Sequence, residues 1–448
     1  MEMNERMSKR WLLGLVGLVL MGLLVACGSK YDSSSNGLLV VGSQGSGLLE
    51  TYSFSLNNGH VSSIANSPAD TATETCVLNG SPSSMVINPA GTFAYVIFNR
   101  TDTCPNATQL GIATFQVKSD GSLSQAGNLV PDPNPVSLSM DSAGKFLFVA
   151  EGLSSVSIPN SVAQSTPCIQ TITTTPPVAQ YGVCVYAIGS DGTLTAVQPT
   201  YTTLPPSVAT PNIVAVAATP TVFPAIGING VQNSVCSAPG TTAPTSEFLY
   251  AVDAANYVVW EFSVDTSTGA LGNPQSLSAV PAVSTGTVPM GIAVDPCDRF
   301  VYVSDSLANK ISAYTICIAV DPSCTVANGS LLPVSGSPFA LSGSANGPGP
   351  LVVDPFGNNV YVVGTLSNTI SPFKISPISG SLTALSTPTV ATGNHPTSIA
   401  IRADDNWMFV ANFNSATVSQ YSITPATGAL TAEAPISTDN QPWGVAVK

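Results

Sequence analysis

The sequence is poor in charge. Of its 448 residues only 8% are charged, and lysine and arginine together number 12. So few cations cannot neutralise a run of phosphates, which excludes nucleic acid as a partner. The formal net charge of −13 also repels anionic substrates unless a few cations are focused in one place. Histidine occurs twice, at His60 and His395, and no C-x2-C pair is present. A zinc site has little to draw on, and no cluster of histidines could hold haem or copper, so neither a metal nor another cofactor is expected. The Leu/Glu/Lys excess of helical proteins is missing too. Val, Thr, Ser and Gly dominate instead, with 37 glycines and 36 prolines, a composition suited to short strands and tight turns.

The first residues read as a targeting segment. Arg6, Lys9 and Arg10 precede an apolar run from Trp11 to Val25, which is short for a bilayer span and right for a signal-peptide core. The run ends in Leu24-Val25-Ala26-Cys27-Gly28, which resembles the bacterial lipobox. That resemblance implies residues 1–26 as a lipoprotein signal peptide, lipidation of Cys27 and anchoring to a membrane through it. Residues 27–36 would then form the lipidated end and a polar tether, with the folded domain over 37–448. Eight further cysteines, an even number in an exported chain, read as up to four disulfides. The pairing expected here is Cys76–Cys104, Cys168–Cys184, Cys236–Cys297 and Cys317–Cys324.

The domain repeats itself. PSSMVINPAGTFAYVIF from Pro82 returns as PVSLSMDSAGKFLFVAE from Pro135, PMGIAVDPCDRFVYVSD from Pro289, PLVVDPFGNNVYVVG from Pro350 and PTSIAIRADDNWMFVAN from Pro396. A disrupted copy runs from Pro211 to Asp253. After each stands a second alternating pair with a glycine turn, such as Gly380-Ser381-Leu382. These glycines, at 59, 121, 192, 269, 329, 380 and 428, lie 48 to 77 residues apart. Repeats of this size with four short strands each predict an all-β, seven-bladed β-propeller with four-stranded antiparallel blades. Leu38-Leu39-Val40-Val41 falls in the position of a second strand, and Pro442 to Val447 reads as a first strand. The two ends should therefore share one blade and close the ring. In Asp354-Pro355-Phe356-Gly357 the residues suit a type I turn, so the recurring acid is read as a turn former.

The meander places the ends of the second strands at one face of the ring and the Asp-Pro turns at the other. Candidate site residues on the first face are Asn99, Arg100, Glu151, Asp253, Asp305, Asn412 and Asn414, with His395 just ahead of its strand. A protein or carbohydrate ligand at the channel mouth is the expected partner. The insertions near Ser154 to Gln180 and Thr219 to Ser246 are candidate partner surfaces. Trp443 is expected to pack in the closing sheet.

The phrase P-x-x-I-x-[VI]-D-P-x-G-x-x-[VF]-Y-V resembles the repeat of the YVTN and lactonase-type seven-bladed propellers, the 6-phosphogluconolactonase-like enzymes among them. The resemblance implies an Arg-His pair after a leading proline and a Glu after a Y-V-N phrase. Glu151, in Phe148-Val149-Ala150-Glu151, matches the Glu, and nothing matches the pair. Lactone opening needs a base for water and a donor for the developing oxyanion. Glu151 is the candidate base, with His395 or Arg100 as donor. Two readings follow: a ligand-binding or scaffolding module of the cell envelope, or a lactonase-type hydrolase.

Overall fold

A computed structural model describes residues 36–64, 81–99, 111–132, 134–152, 171–172, 178–179, 182–201, 212–219, 247–272, 275–277, 288–317 and 328–448. Cys27, Arg100 and most of both insertions lie outside them. Seven four-stranded antiparallel sheets are present, several with a short fifth strand at the edge. The blades are numbered here by their innermost strands: Ser81–Ile87, Pro135–Met140, Ile213–Ala218, Pro289–Val294, Pro348–Val353, Pro396–Ile401 and Pro442–Val447. The seventh blade is shared by the two ends of the domain. Its inner strand Pro442–Val447 pairs with Asn36–Ser43 in the register Leu39↔Val447, Val40↔Ala446 and Val41↔Val445. Leu38 and Lys448 exchange backbone hydrogen bonds of 3.0 and 2.8 Å beyond it. The expected closure is therefore present.

The apolar core is divided among the seams. Each of seven clusters joins two adjacent blades, including the pair on either side of the closing blade. This follows from the period-2 alternation of strands buried on both faces. Phe148 and Ala150 point to one neighbour while Leu147 and Val149 point to the other. The recurring tyrosine and glycine have a common cause. Tyr302 Oη donates to the carbonyl of Gly380 in the next blade at 3.0 Å, and Tyr250 and Tyr361 do the same to Gly329 and Gly428. Gly380 has φ +71, and a Cβ there would stand 2.5 Å from the Phe300 ring. Only glycine meets both demands.

The Asp-Pro turn is built as the sequence suggests. Asp354 is fully buried; its Oδ1 accepts from the Phe356 and Asn358 amides at 3.0 and 2.9 Å, and its Oδ2 from Asn359 Nδ2 at 2.7 Å. One detail of the repeat needs correction. Pro348, not Pro350, heads the inner strand of the fifth blade, because Pro348↔Gly364 matches the pairings Pro289↔Asp305 and Pro396↔Asn412. The Pro350 phrase omits two residues that belong to the strand.

Candidate functional site

The seven inner strands surround a cavity of about 320 Å³, lined by residues from every blade. Hydroxyl groups stitch its wall: Ser84 Oγ accepts from Leu138 N, Ser398 Oγ accepts from Val445 N, and Ser304 Oγ donates to Gly349 O. The lining combines Ser83, Ser84, Ser137, Thr397 and Ser398 with small apolar side chains, Met290 and Trp443, and no charged residue is among it in the described part of the chain. Trp443 is the feature that sequence reasoning missed. It sits at the mouth with 36% of its surface exposed, while Trp260 and Trp407 are 1% and 5% exposed. The first residue after the leading proline projects into the channel, and in the closing blade that residue is the tryptophan. Its backbone carbonyl accepts from Thr397 Oγ1 at 2.9 Å. Phe413 packs on its ring at 5.4 Å and 87°, and His395 lies 5.8 Å from Phe413.

Of the expected site residues that are described, His395 alone joins this constellation, through Phe413. It is half-buried, has φ +56, and its amide donates to Asn368 Oδ1 at 2.8 Å. Asn414 is exposed on the neighbouring turn. Asp253, Asp305 and Asn412 were expected to face a ligand and instead anchor turns. Asp253 is fully buried and accepts from the amides of Asn212, Ala255 and Asn256, from Asn256 Nδ2 and from Trp260 Nε1. Asp305 accepts from Val288 N and Ala308 N. The Asn412 amide donates to Thr417 and Ser419. Orphan amides at a strand exit need acceptors, and short Asp and Asn side chains reach them. Asn99 Nδ2 donates to Pro135 O and so ties the first blade to the second.

Glu151 is 5% exposed, a buried group rather than a solvated loop acid. Asp132 is the group beside it, and the Asp132 carboxylate accepts from Tyr186 Oη at 3.5 Å. Burial, and then the charge and hydrogen bond of Asp132, hold the Glu151 carboxyl well above its ordinary range. Burial pushes Asp132 up to about 6, although its hydrogen bonds oppose the rise. Two carboxyl groups so placed share one proton at neutral pH. Asp132, Glu151 and Cys184 offer atoms within 4.8 Å of one another. Cys184 is disulfide-bonded, as are Cys297 and Cys317, so its sulfur is not a thiolate ligand. Every expected cysteine pair has at least one member outside the described residues. Glu151 stands on the second strand of its blade, opposite Pro135 of the inner strand, while Cys184 and Tyr186 beside the pair belong to the third strand.

Fold and cavity define the class: the chain is similar to the lactonase-type seven-bladed propellers. Residues 330–443 match the family described as Lactonase, 7-bladed beta-propeller. No curated protein matches the chain. Among solved structures it resembles the periplasmic gluconolactonase PpgL of Pseudomonas aeruginosa, with 18% identity and a TM-score of 0.62 over 92% of this chain and 99% of that one. A Bacteroides fragilis protein, described as a candidate 6-phosphogluconolactonase, gives 17% identity and a TM-score of 0.61 over 93% and 99%. A Lactobacillus plantarum protein gives 15% and 0.63 over 92% and 99%. At these identities the likeness shows the fold.

Proposed function

We propose that the protein is a lactonase-type propeller that takes an uncharged carbohydrate, of the size of a sugar lactone, at the mouth of its central channel. The observation that carries this reading is the lining of the cavity: hydroxyls, small apolar groups and one exposed indole, with no charge among the described residues. Hydroxyls and an aromatic face suit a ring that is polar at its rim and apolar on its faces. At about 320 Å³ the cavity is at the small end of ligand sites, which run from roughly 300 to 1,000 Å³. The similarity to lactonase-type proteins favours this over a scaffolding role in the envelope. A leader-like first segment favours export, in keeping with the description of the similar Pseudomonas aeruginosa protein as periplasmic.

Hydrolysis is a second reading, carried by the Asp132–Glu151 pair. A pair sharing one proton offers a base for the attacking water and an acid for the departing ring oxygen. Both groups are enclosed, so turnover requires them to be uncovered when the lactone enters. The test is acid release from a panel of neutral lactones by wild type and Glu151→Gln, with binding followed in parallel. Turnover lost in Glu151→Gln supports hydrolysis; saturable binding without turnover supports recognition alone. Neither binding nor turnover would remove both readings.

A further inference from the structure

We propose that Glu247 and Asp298 bind one hard divalent cation, with calcium as the best fit, at the seam between the third and fourth blades on the face opposite the mouth. The inference is independent of the reading of the channel mouth, so either can fail alone.

Position brings the two carboxylates together. Asp298 closes the turn after the inner strand of the fourth blade, where its amide donates to the Asp295 carbonyl at 2.9 Å. Gly144 and Gly357 close the same turn in the second and fifth blades, each with its amide on the carbonyl three residues back. A side chain in this slot projects onto the preceding blade: a Cβ on Gly357 would stand 2.7 Å from Arg299 Nη2, and one on Gly144 3.0 Å from Pro89 Cδ. Arg299 stands just ahead of Phe300 at the entrance of its blade's second strand, and Glu247 stands just ahead of Phe248 at the same entrance in the third blade. Asp298 therefore faces Glu247 across the seam. Burial, and then the charges of Asp295 and Glu247, act on its carboxyl in keeping with that placement.

Neither acid has a partner. Glu247 is 1% and Asp298 6% exposed, and all four carboxylate oxygens are buried without a hydrogen bond among the described residues. The neighbouring acids are already engaged. Asp141 accepts from the Ala143, Lys145 and Phe146 amides, and Asp295 is held by Arg299 at 2.7 and 2.8 Å. Arg299 then reaches the Gly357 carbonyl at 3.0 Å, toward the fifth blade and away from Glu247. Lys145 is exposed and forms an ion pair with neither acid. Between Lys145 and Arg299, and again between Lys310 and Lys374, the sequence contains no lysine, arginine or histidine. The undescribed stretches of the third and fourth blades therefore bring no cation either. Two facing carboxylates buried without a counter-charge are costly, and one divalent cation offsets both. Both side chains offer oxygen only, which selects a hard cation. Calcium accepts an irregular set of carboxylates and waters, whereas magnesium demands a near-ideal octahedron. Asp405 supplies the contrast. It holds the same slot in the sixth blade, but the entrance residue before it is Asn358, and Asp354 beside it is satisfied by amides.

The test is calorimetric titration of the chelator-treated full chain with calcium chloride near neutral pH, with thermal unfolding in parallel. Wild type should bind one calcium saturably and melt several degrees higher in millimolar calcium than in EDTA. Glu247→Gln and Asp298→Gly should each weaken binding about tenfold or more. Asp298→Gly also relieves the left-handed strain at φ +55, so in EDTA it should be at least as stable as wild type, yet gain nothing from calcium. That pattern separates loss of the site from loss of the fold. Asp405→Gly should bind calcium as wild type does. A wild type without saturable binding, or binding that survives both Glu247→Gln and Asp298→Gly, would overturn the site. Tighter binding of magnesium than of calcium would overturn the choice of cation.

Discussion

Asp405 offers a perturbation whose size follows from the structure. It occupies the fourth position of the turn at the face opposite the mouth, where Gly144 and Gly357 stand in other blades at φ +68 and +66. Asp405 is left-handed too, at φ +57, fully buried, and both carboxylate oxygens are without a hydrogen-bond partner among the described residues. Burial, and then the charges of Asp354 and Asp404, raise its pKa from 3.8 to about 8. Asp405→Gly should first relieve the left-handed strain, about 1–2 kcal/mol at any pH. The carboxyl adds a term that depends on pH. Between pH 4 and 8 the folded wild type holds a proton that the unfolded chain has released, so wild-type stability falls as pH rises through this window. The slope for one group is about 1.4 kcal/mol per pH unit. Asp405→Gly lacks this group, so its advantage should widen by several kcal/mol from pH 5 to pH 8. Urea unfolding of both proteins at four pH values in that range measures it. An advantage that stays constant with pH would refute the buried, protonated state of Asp405.

Asp298 occupies the same slot in the fourth blade, with its pKa pushed up to about 8 by burial and by Asp295, and Asp298→Gly should behave alike. Deleting 442–448 removes the inner strand of the closing blade and should replace one cooperative unfolding transition with a broad one at lower temperature; an unchanged transition would contradict ring closure. Gly380→Ala introduces both left-handed strain and a collision with Phe300, so it should cost about 2 kcal/mol or more in urea unfolding. Cys27→Ser should move the protein from the membrane to the soluble fraction, and continued membrane retention would count against the lipobox.

The architecture was legible because most blades obey the same constraints. Proline heads the inner strand, an aspartate or asparagine opens the turn after it in four blades, and glycine meets the preceding blade's aromatic ring at Gly59, Gly192, Gly269, Gly329 and Gly380, so the physical demand is written several times over. The site was legible only in part, because a site is where blades differ. Glu151 could be picked out as a departure from the asparagine or aspartate of its neighbours, but its partner Asp132 belongs to no repeated phrase. Trp443 follows a leading proline, where a bulky apolar residue reads equally well as packing. Its exposure depends on six other inner strands that leave the channel open. Asp253 and Asp305 misled in the opposite sense: an acid at a strand exit looks available until the amides of the following turn claim it.

The most direct test of an uncharged mouth centred on Trp443 is collisional quenching of tryptophan fluorescence by acrylamide. Trp260 and Trp407 are shielded, so the difference between wild type and Trp443→Phe isolates the emission at the mouth. A neutral sugar lactone at saturation should protect that emission from the quencher. Unchanged quenching under conditions where the lactone is shown to be bound would place the ligand elsewhere and contradict the account.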